Sequence, residues 1–183
     1  MPMRKLLAVL ALAFAGPALA ETPHLGKPVS AADLARWDID IQADGAGLPP
    51  GEGTAVQGAP IYVAKCAVCH GDGGRGTEQA KNGKPAPPIL VSDVKLKGMD
   101  ASHTSIANYW PYAPPLFGYI RAAMPWNEPR SLSDHEVYAL TAYILAENKL
   151  IDPKLVLNAG TLSKVMMPNR NGFLPRFPEL MPK

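Results

Sequence analysis

Cys66-Ala67-Val68-Cys69-His70 places two thiols three positions apart and an imidazole directly after the second. Thiols with this spacing on one turn can each add to a vinyl group of the same porphyrin, which leaves the following side chain beneath the iron. That is the attachment signature of a c-type haem. His70 then supplies the proximal nitrogen. Iron that only carries electrons commonly takes a Met thioether as its second axial ligand, which raises the reduction potential and leaves no open position for chemistry. The expected cofactor is one covalently attached haem c with its iron, bound through Cys66 and Cys69. Other uses of the motif find little support. A thioredoxin-like CxxC needs a βαβ context, and a structural zinc site needs two further Cys or His at ligand spacing. These are the only cysteines, and His24, His103 and His135 stand singly. A disulfide between Cys66 and Cys69 closes too small a loop to stabilise much.

A sixth ligand has to come from downstream, where Met99, Met124, Met166, Met167 and Met181 are available. Met124 is the expected one. It precedes Pro125, which pushes it out of the helical region, so it sits on an extended turn between a helix that stops there and the last long helix. Met167 also precedes a proline and is the alternative, while any Met can simply fill core space. His103 or His135 in that place would give a bis-His iron of lower potential. An open or labile sixth position would instead make the protein a haem enzyme or a gas-binding sensor, although no distal His, Arg or acid–base pair is recognisable. A haem-ligating His usually donates its other N–H to a carbonyl. Pro88, in Pro88-Ile89-Leu90, is the expected source.

The elements that must position these groups are helical. Residues 57–66 read as a short apolar helix leading into the motif, with Gly58 and Tyr62 on one face and room for another helix at the glycine. Gly71, Gly73, Gly74 and Gly76 let the chain leave by a tight loop. Residues 102–109 read as a short helix. Pro114 and Pro115 suit a helix start, and Leu116, Phe117, Ile120 and Ala123 recur with helical period up to Met124. Ser133 and Glu136 form a capping box for the strongest helix, which runs to about Asn148 with Val137, Leu140 and Ile144 on its apolar face and packs on the Gly58/Tyr62 helix. Trp110, Tyr112, Phe117 and Trp126 form an aromatic group that is core first and haem surround second. Lys81, Lys84, Lys95 and Lys97 lie in the loop region and either ring an exposed haem edge or face solvent.

Residues 1–20 have a charged start at Arg4-Lys5, an apolar run from Leu6 to Ala15 and the small-residue ending Ala18-Leu19-Ala20. This reads as a cleavable signal peptide, with export to the periplasm. The run is too short to span a bilayer as a helix, and no later segment is long enough. Without Arg4 and Lys5, acids and bases balance. Residues 21–57 carry six acids against two bases and residues 58–183 ten against fourteen, so an acidic arm precedes a mildly basic domain. That polarity can steer a charged partner, but nothing resembles the basic stripe of a nucleic-acid binder. The expected division is a signal peptide (1–20), an extended N-terminal arm (21–56) anchored by Trp37 and Ile39 with a helix at 31–36 capped by Ser30, a haem domain (57–150), and a C-terminal extension (151–183) packed on the domain or on a partner. Twenty prolines and sixteen glycines imply much ordered loop and a core that needs the haem.

Taken together, Gly58, Tyr62, Cys66-x-x-Cys69-His70, Met124-Pro125 and the Tyr138 to Leu145 helix resemble a class I c-type cytochrome. The resemblance implies an all-α fold with a partly exposed haem edge. Trp37-Asp38-Ile39-Asp40, Tyr109-Trp110-Pro111-Tyr112-Ala113, Ala123-Met124-Pro125, Glu136 to Tyr143 and Met167-Pro168-Asn169-Arg170 are similar to the SoxD-like cytochrome subunits. Those subunits accept electrons from molybdenum enzymes of the sulfite oxidase type, including sulfane and sulfite dehydrogenases. The resemblance therefore implies a non-enzymatic electron carrier, with a molybdenum-dependent sulfite or sulfane dehydrogenase as donor and a downstream cytochrome or oxidase as acceptor. The longer sulfane dehydrogenase subunits carry two haems. This chain has one CxxCH, which favours a monohaem partner of a sulfite dehydrogenase.

Overall fold

In a computed structural model the protein is described at residues 25–83, 86–94, 104–174 and 176–177. The expected signal peptide, His24, Met99, His103, Met181 and Lys84, Lys95 and Lys97 lie outside these residues. The chain divides into a unit ending at Trp37 and a second unit from Asp38 onward. The first contains helix α1 (Ala31–Trp37). Its start is fixed by Ser30, whose Oγ accepts from the Asp33 N–H at 3.1 Å, relieving one of the orphan donors of a first turn. Trp37 ends this helix.

In the second unit, helix α2 (Ala55–Lys65) begins two residues before the apolar pattern does. Thr54 is its N-cap: Gln57 N–H donates to Thr54 Oγ1 at 3.3 Å, and Thr54 N–H donates to Gln57 Oε1 at 2.9 Å. This reciprocal pair is a capping box. Next come α3 (Ala67–His70), a 3-10 turn at Asp72–Gly74, α4 (Glu78–Lys81) and α5 (Ile106–Tyr109). Helix α6 (Pro114–Ala123) opens on two prolines and stops at Met124, whose backbone is extended at φ −111° and ψ 148°, as a residue before proline must be. Helix α7 (Asp134–Glu147) carries the Ser133/Glu136 capping box. It ends at an Asn148 cap followed by Lys149 in the left-handed region at φ 61°, ahead of Pro153. A short helix, α8 (Ala159–Leu162), lies beyond it.

The core is built where α2 crosses α7. A Cβ at Gly58 would lie 2.1 Å from the Ala139 carbonyl oxygen, so the two backbones touch at the only residue type that permits it. Around this point Tyr62, Phe117, Leu116, Val137, Tyr138, Leu140 and Leu145 are fully buried. The Phe117 and Tyr138 rings, 4.4 Å apart, join α6 to α7. Residues beyond 150 complete the same core. Leu157 and Leu162 are wholly buried with Val165 and Met167, and strand β2 (Leu157–Asn158) pairs antiparallel with β1 (Glu52–Gly53), Glu52 opposite Asn158. Residues 38–53, read from sequence as arm, also belong to this unit. Their buried residue is Ile41 rather than Ile39, which is exposed; Ile41 Cγ1 lies 3.0 Å from where a Cβ of Gly118 would be. The fold is thus the expected all-α class with one two-residue ladder among the described residues, and none of their helices is long and apolar enough to cross a membrane.

Candidate haem site

The last turn of α2 delivers the attachment motif. Cys66 N–H donates to Tyr62 O at 2.9 Å, and the N–H groups of Cys69 and His70 donate to Cys66 O at 3.1 and 2.9 Å. Cys66, Cys69 and His70 therefore lie on one continuous turn. Both cysteines are free thiols, Cys69 exposed and Cys66 half-buried. Cys66 packs with Ala67 at the edge of the core. Burial, then the neighbouring Cys69, push its thiol up to about 11 against a small opposing effect of Lys65, so before attachment it stands neutral at pH 7.

His70 Nδ1 lies 2.9 Å from the Pro88 carbonyl oxygen. A carbonyl can only accept, so this contact puts the proton on Nδ1 and leaves the Nε2 lone pair for a metal. Pro88 is the residue the sequence pointed to. Its loop is held by several contacts. Leu90 and Val91 N–H both donate to Gly74 O, at 2.9 and 3.0 Å. Gly74 has φ +75°, and a Cβ there would come within 2.9 Å of Val91 Cγ2. Asn148 Nδ2 donates to Leu90 O at 3.1 Å, and Ser92 N–H donates to Asn148 Oδ1 at 3.3 Å. Asp93, paired with Arg75 at 3.1 Å and Lys149 at 3.2 Å, is held below the usual carboxylate range by hydrogen bonds and charge from those two cations, Lys149 first. Close to Gly74, Tyr62 O–H donates to Gly71 O at 3.0 Å. Desolvation, with Cys66 nearby, drives the Tyr62 phenol well above its ordinary range. It is a permanent donor.

Met124 caps α6, its N–H donating to Ile120 O at 3.0 Å. Its side chain is half-buried and packs against the core, as do Cys66, Ala67, Leu90 and Trp110. Met167, the alternative, is 3 % exposed and is a member of the core, while Met166 is 69 % exposed. His135 turns Nδ1 toward the Glu52 backbone at 3.0 Å. The aromatic group separates: Phe117 is core, Trp110 meets Tyr119 edge-on, Tyr112 lies under Arg170 at 5.1 Å, and Trp126 is 85 % exposed. Asn148 and the Tyr62 hydroxyl were missed as site residues from sequence. Asn148 gave no signal beyond marking a helix end, because its partners lie 56 and 58 positions away.

The two thiols on one turn and the imidazole beside them fit a haem c. The thiols are free and on one turn, the imidazole keeps one nitrogen, and no cluster of three or more His, Cys, Asp or Glu able to hold a metal ion occurs among the described residues. Comparison with known proteins agrees. Over 121 residues the chain is 32 % identical to the thiosulfate dehydrogenase of Stutzerimonas stutzeri (strain A1501), a match that takes in 65 % of this chain and 35 % of that protein. The chain thus spans about a third of that relative's length. The crystal structure of the sulfane dehydrogenase SoxCD from Paracoccus pantotrophus superposes with a TM-score of 0.75 at 29 % identity, over 87 % of this chain and 75 % of that one. A family model described as Cytochrome c matches residues 55–147. The matched stretch begins with α2 and ends with α7, the helices whose crossing supports the attachment turn, and the chain belongs to the cytochrome c family, whose haem c is bound covalently.

Proposed function

We propose that this protein is a periplasmic monohaem electron carrier. It takes single electrons from a molybdenum-dependent sulfite or sulfane dehydrogenase and passes them to a downstream cytochrome or oxidase. Cys66 and Cys69 would hold the porphyrin, and His70 and Met124 would ligate its iron. The haem supplies a one-electron Fe(III)/Fe(II) couple. Sulfite oxidation to sulfate releases two electrons, so each donor turnover reduces this carrier twice. The observation that carries the reading is the His70 Nδ1 contact with Pro88 O at 2.9 Å, because it sets the tautomer an axial imidazole requires. Support for the sulfur pathway is the likeness to sulfane dehydrogenase SoxCD.

Stopped-flow haem reduction by sulfite, with and without the candidate dehydrogenase, tests the donor. Acceleration by the enzyme is expected, and none would remove the sulfite link. For the ligand, the near-infrared band of sulfur-ligated ferric haem should vanish in Met124→Ala and persist in Met167→Ala. Persistence in Met124→Ala refutes the assignment.

A second reading has one observation in its favour, the name of the thiosulfate dehydrogenase relative. In it the sixth position is labile and the haem itself is the catalyst. Ferrous protein that refuses CO at neutral pH supports the carrier, whereas rapid CO binding together with thiosulfate turnover supports the enzyme.

A further inference from the structure

We propose that Asn148 is a positioning residue for His70, acting through the Pro88 loop; the inference rests on His70 being the proximal ligand. Asn148 is the C-cap of α7, and its half-buried carboxamide makes three hydrogen bonds. Nδ2 donates to Ile144 O at 2.8 Å on its own helix and to Leu90 O at 3.1 Å, while Oδ1 accepts from Ser92 N–H at 3.3 Å. The last two bonds fall on either side of Val91, which is buried at 2 % exposure. One side chain therefore grips the loop as a backbone strand would, and the same loop carries Pro88 O two residues upstream of Leu90. Other ties among the described residues are backbone bonds from Leu90 and Val91 to Gly74 O, an exposed bond from Asn108 Nδ2 to Val94 O at 2.9 Å, and the exposed ion pairs of Asp93 with Arg75 and Lys149. Exposed pairs contribute little. Asn148 is thus the one side-chain tie with partly buried bonds, among the described residues, between the loop and the helix that backs the attachment turn.

An imidazole whose Nδ1–H is held by a carbonyl is a stronger donor to iron through Nε2, which favours Fe(III). Loosening the loop weakens that hold and so raises the reduction potential.

The test uses the holoprotein. Asn148→Leu removes the three bonds while keeping the branched shape, heavy-atom count and charge, and Asn148→Ala serves if the leucine form does not accumulate. The expected results are a potential above wild type and exchange of the His70 Nδ1 proton with solvent about tenfold faster, the size of one lost hydrogen bond. Ser133→Ala, at the other end of α7, weakens the same helix without touching the loop. It should lower thermal stability and leave potential and exchange unchanged. Equal shifts in Ser133→Ala, or Asn148 variants that lose stability while both readouts stay at wild-type values, overturn the proposal. The unmodified holoprotein gives a measurement free of folding risk. The Ser92 amide and the His70 Nδ1 proton should open together, and a protected His70 proton beside a freely exchanging Ser92 amide also overturns it. Failure of the ligand assignment looks different, since wild type would then show no haem-shifted His70 resonance at all.

Discussion

Gly58→Ala sets two effects of opposite sign against each other, and the structure decides between them. Alanine is the better helix former by about 1 kcal/mol at an interior position, and Gly58 sits in the body of α2. On propensity alone the variant is stabilised. Its new methyl, however, would lie 2.1 Å from Ala139 O, 2.6 Å from Ala139 C and 2.9 Å from Tyr143 Cβ, where ordinary contact begins at 3.4 Å. The first two atoms are backbone of α7 and cannot rotate away. The helices must part by more than an ångström, and a radial gap of about 0.5–1 Å already forfeits roughly a quarter to a half of each dispersion contact. The contacts at risk include the Tyr62 and Tyr143 rings, 4.8 Å apart. Overpacking of this kind costs about 3 kcal/mol, leaving a net loss of about 2 kcal/mol and a melting temperature lower by about 5 °C for a domain of this size. Chemical and thermal denaturation of the holoprotein, followed in the Soret band, measure it. Val56→Ala on the exposed face of the same helix is the control and should stay within about 0.5 kcal/mol. A Gly58→Ala protein as stable as wild type, or more stable, refutes the backbone contact between α2 and α7.

Burial raises the phenols of Tyr62, Tyr138 and Tyr143 above the ordinary value of 10.0, so each favours folding fully below pH 10 and loses that contribution as pH rises beyond it. Stability measured from pH 8 upward should therefore fall above pH 10, less steeply in Tyr62→Phe, which also costs about 1 kcal/mol at neutral pH for the bond to Gly71 O. Glu136 lies below its ordinary 4.5 chiefly because the Ser133 backbone N–H and hydroxyl donate to it. Its contribution is present above that value and disappears as pH falls through the lowered one. Ser133→Ala should cost about 1 kcal/mol at pH 7 and flatten the acid side of the curve, readable by urea melts between pH 3 and 7. Leu157 is wholly buried, so Leu157→Ala should cost about 2–5 kcal/mol. A negligible loss would mean that residues beyond 150 are not part of the folding unit.

How far the chain can be read in advance depends on the range of the interaction. Local signals carried through. The CxxCH turn, the proline that ends α6 at Met124 and the Ser133/Glu136 box each act within a few residues, and each is found in place. The Gly58/Tyr62 face was also legible, because a small residue one turn before an aromatic one implies a close helix neighbour. What escaped was set by pairings across long stretches of chain. Ile41 rather than Ile39 is buried because it is the side chain that meets Gly118, and residues 38–53 look like linker until β1 meets β2 more than a hundred positions later. Thr54 and Gln57 are the exception, a local capping box lying just after the glycine- and proline-rich stretch that ends at Gly53.

The same division runs through the haem site and explains why its support is less visible than its ligands. Attachment needs chemistry that only certain side chains have, so Cys66, Cys69 and His70 announce themselves. Orientation needs only a carbonyl in the right place, and any residue has one. Pro88 could be named because a loop after the motif must offer a backbone acceptor, yet its place depends on Gly74 tolerating φ +75°, Val91 filling the space beside it and Asn148 bonding both of that residue's neighbours. None of these three bears a mark of haem chemistry. If His70 ligates the iron, charge-neutral substitutions in the loop should shift the potential according to how far they move the Pro88 carbonyl.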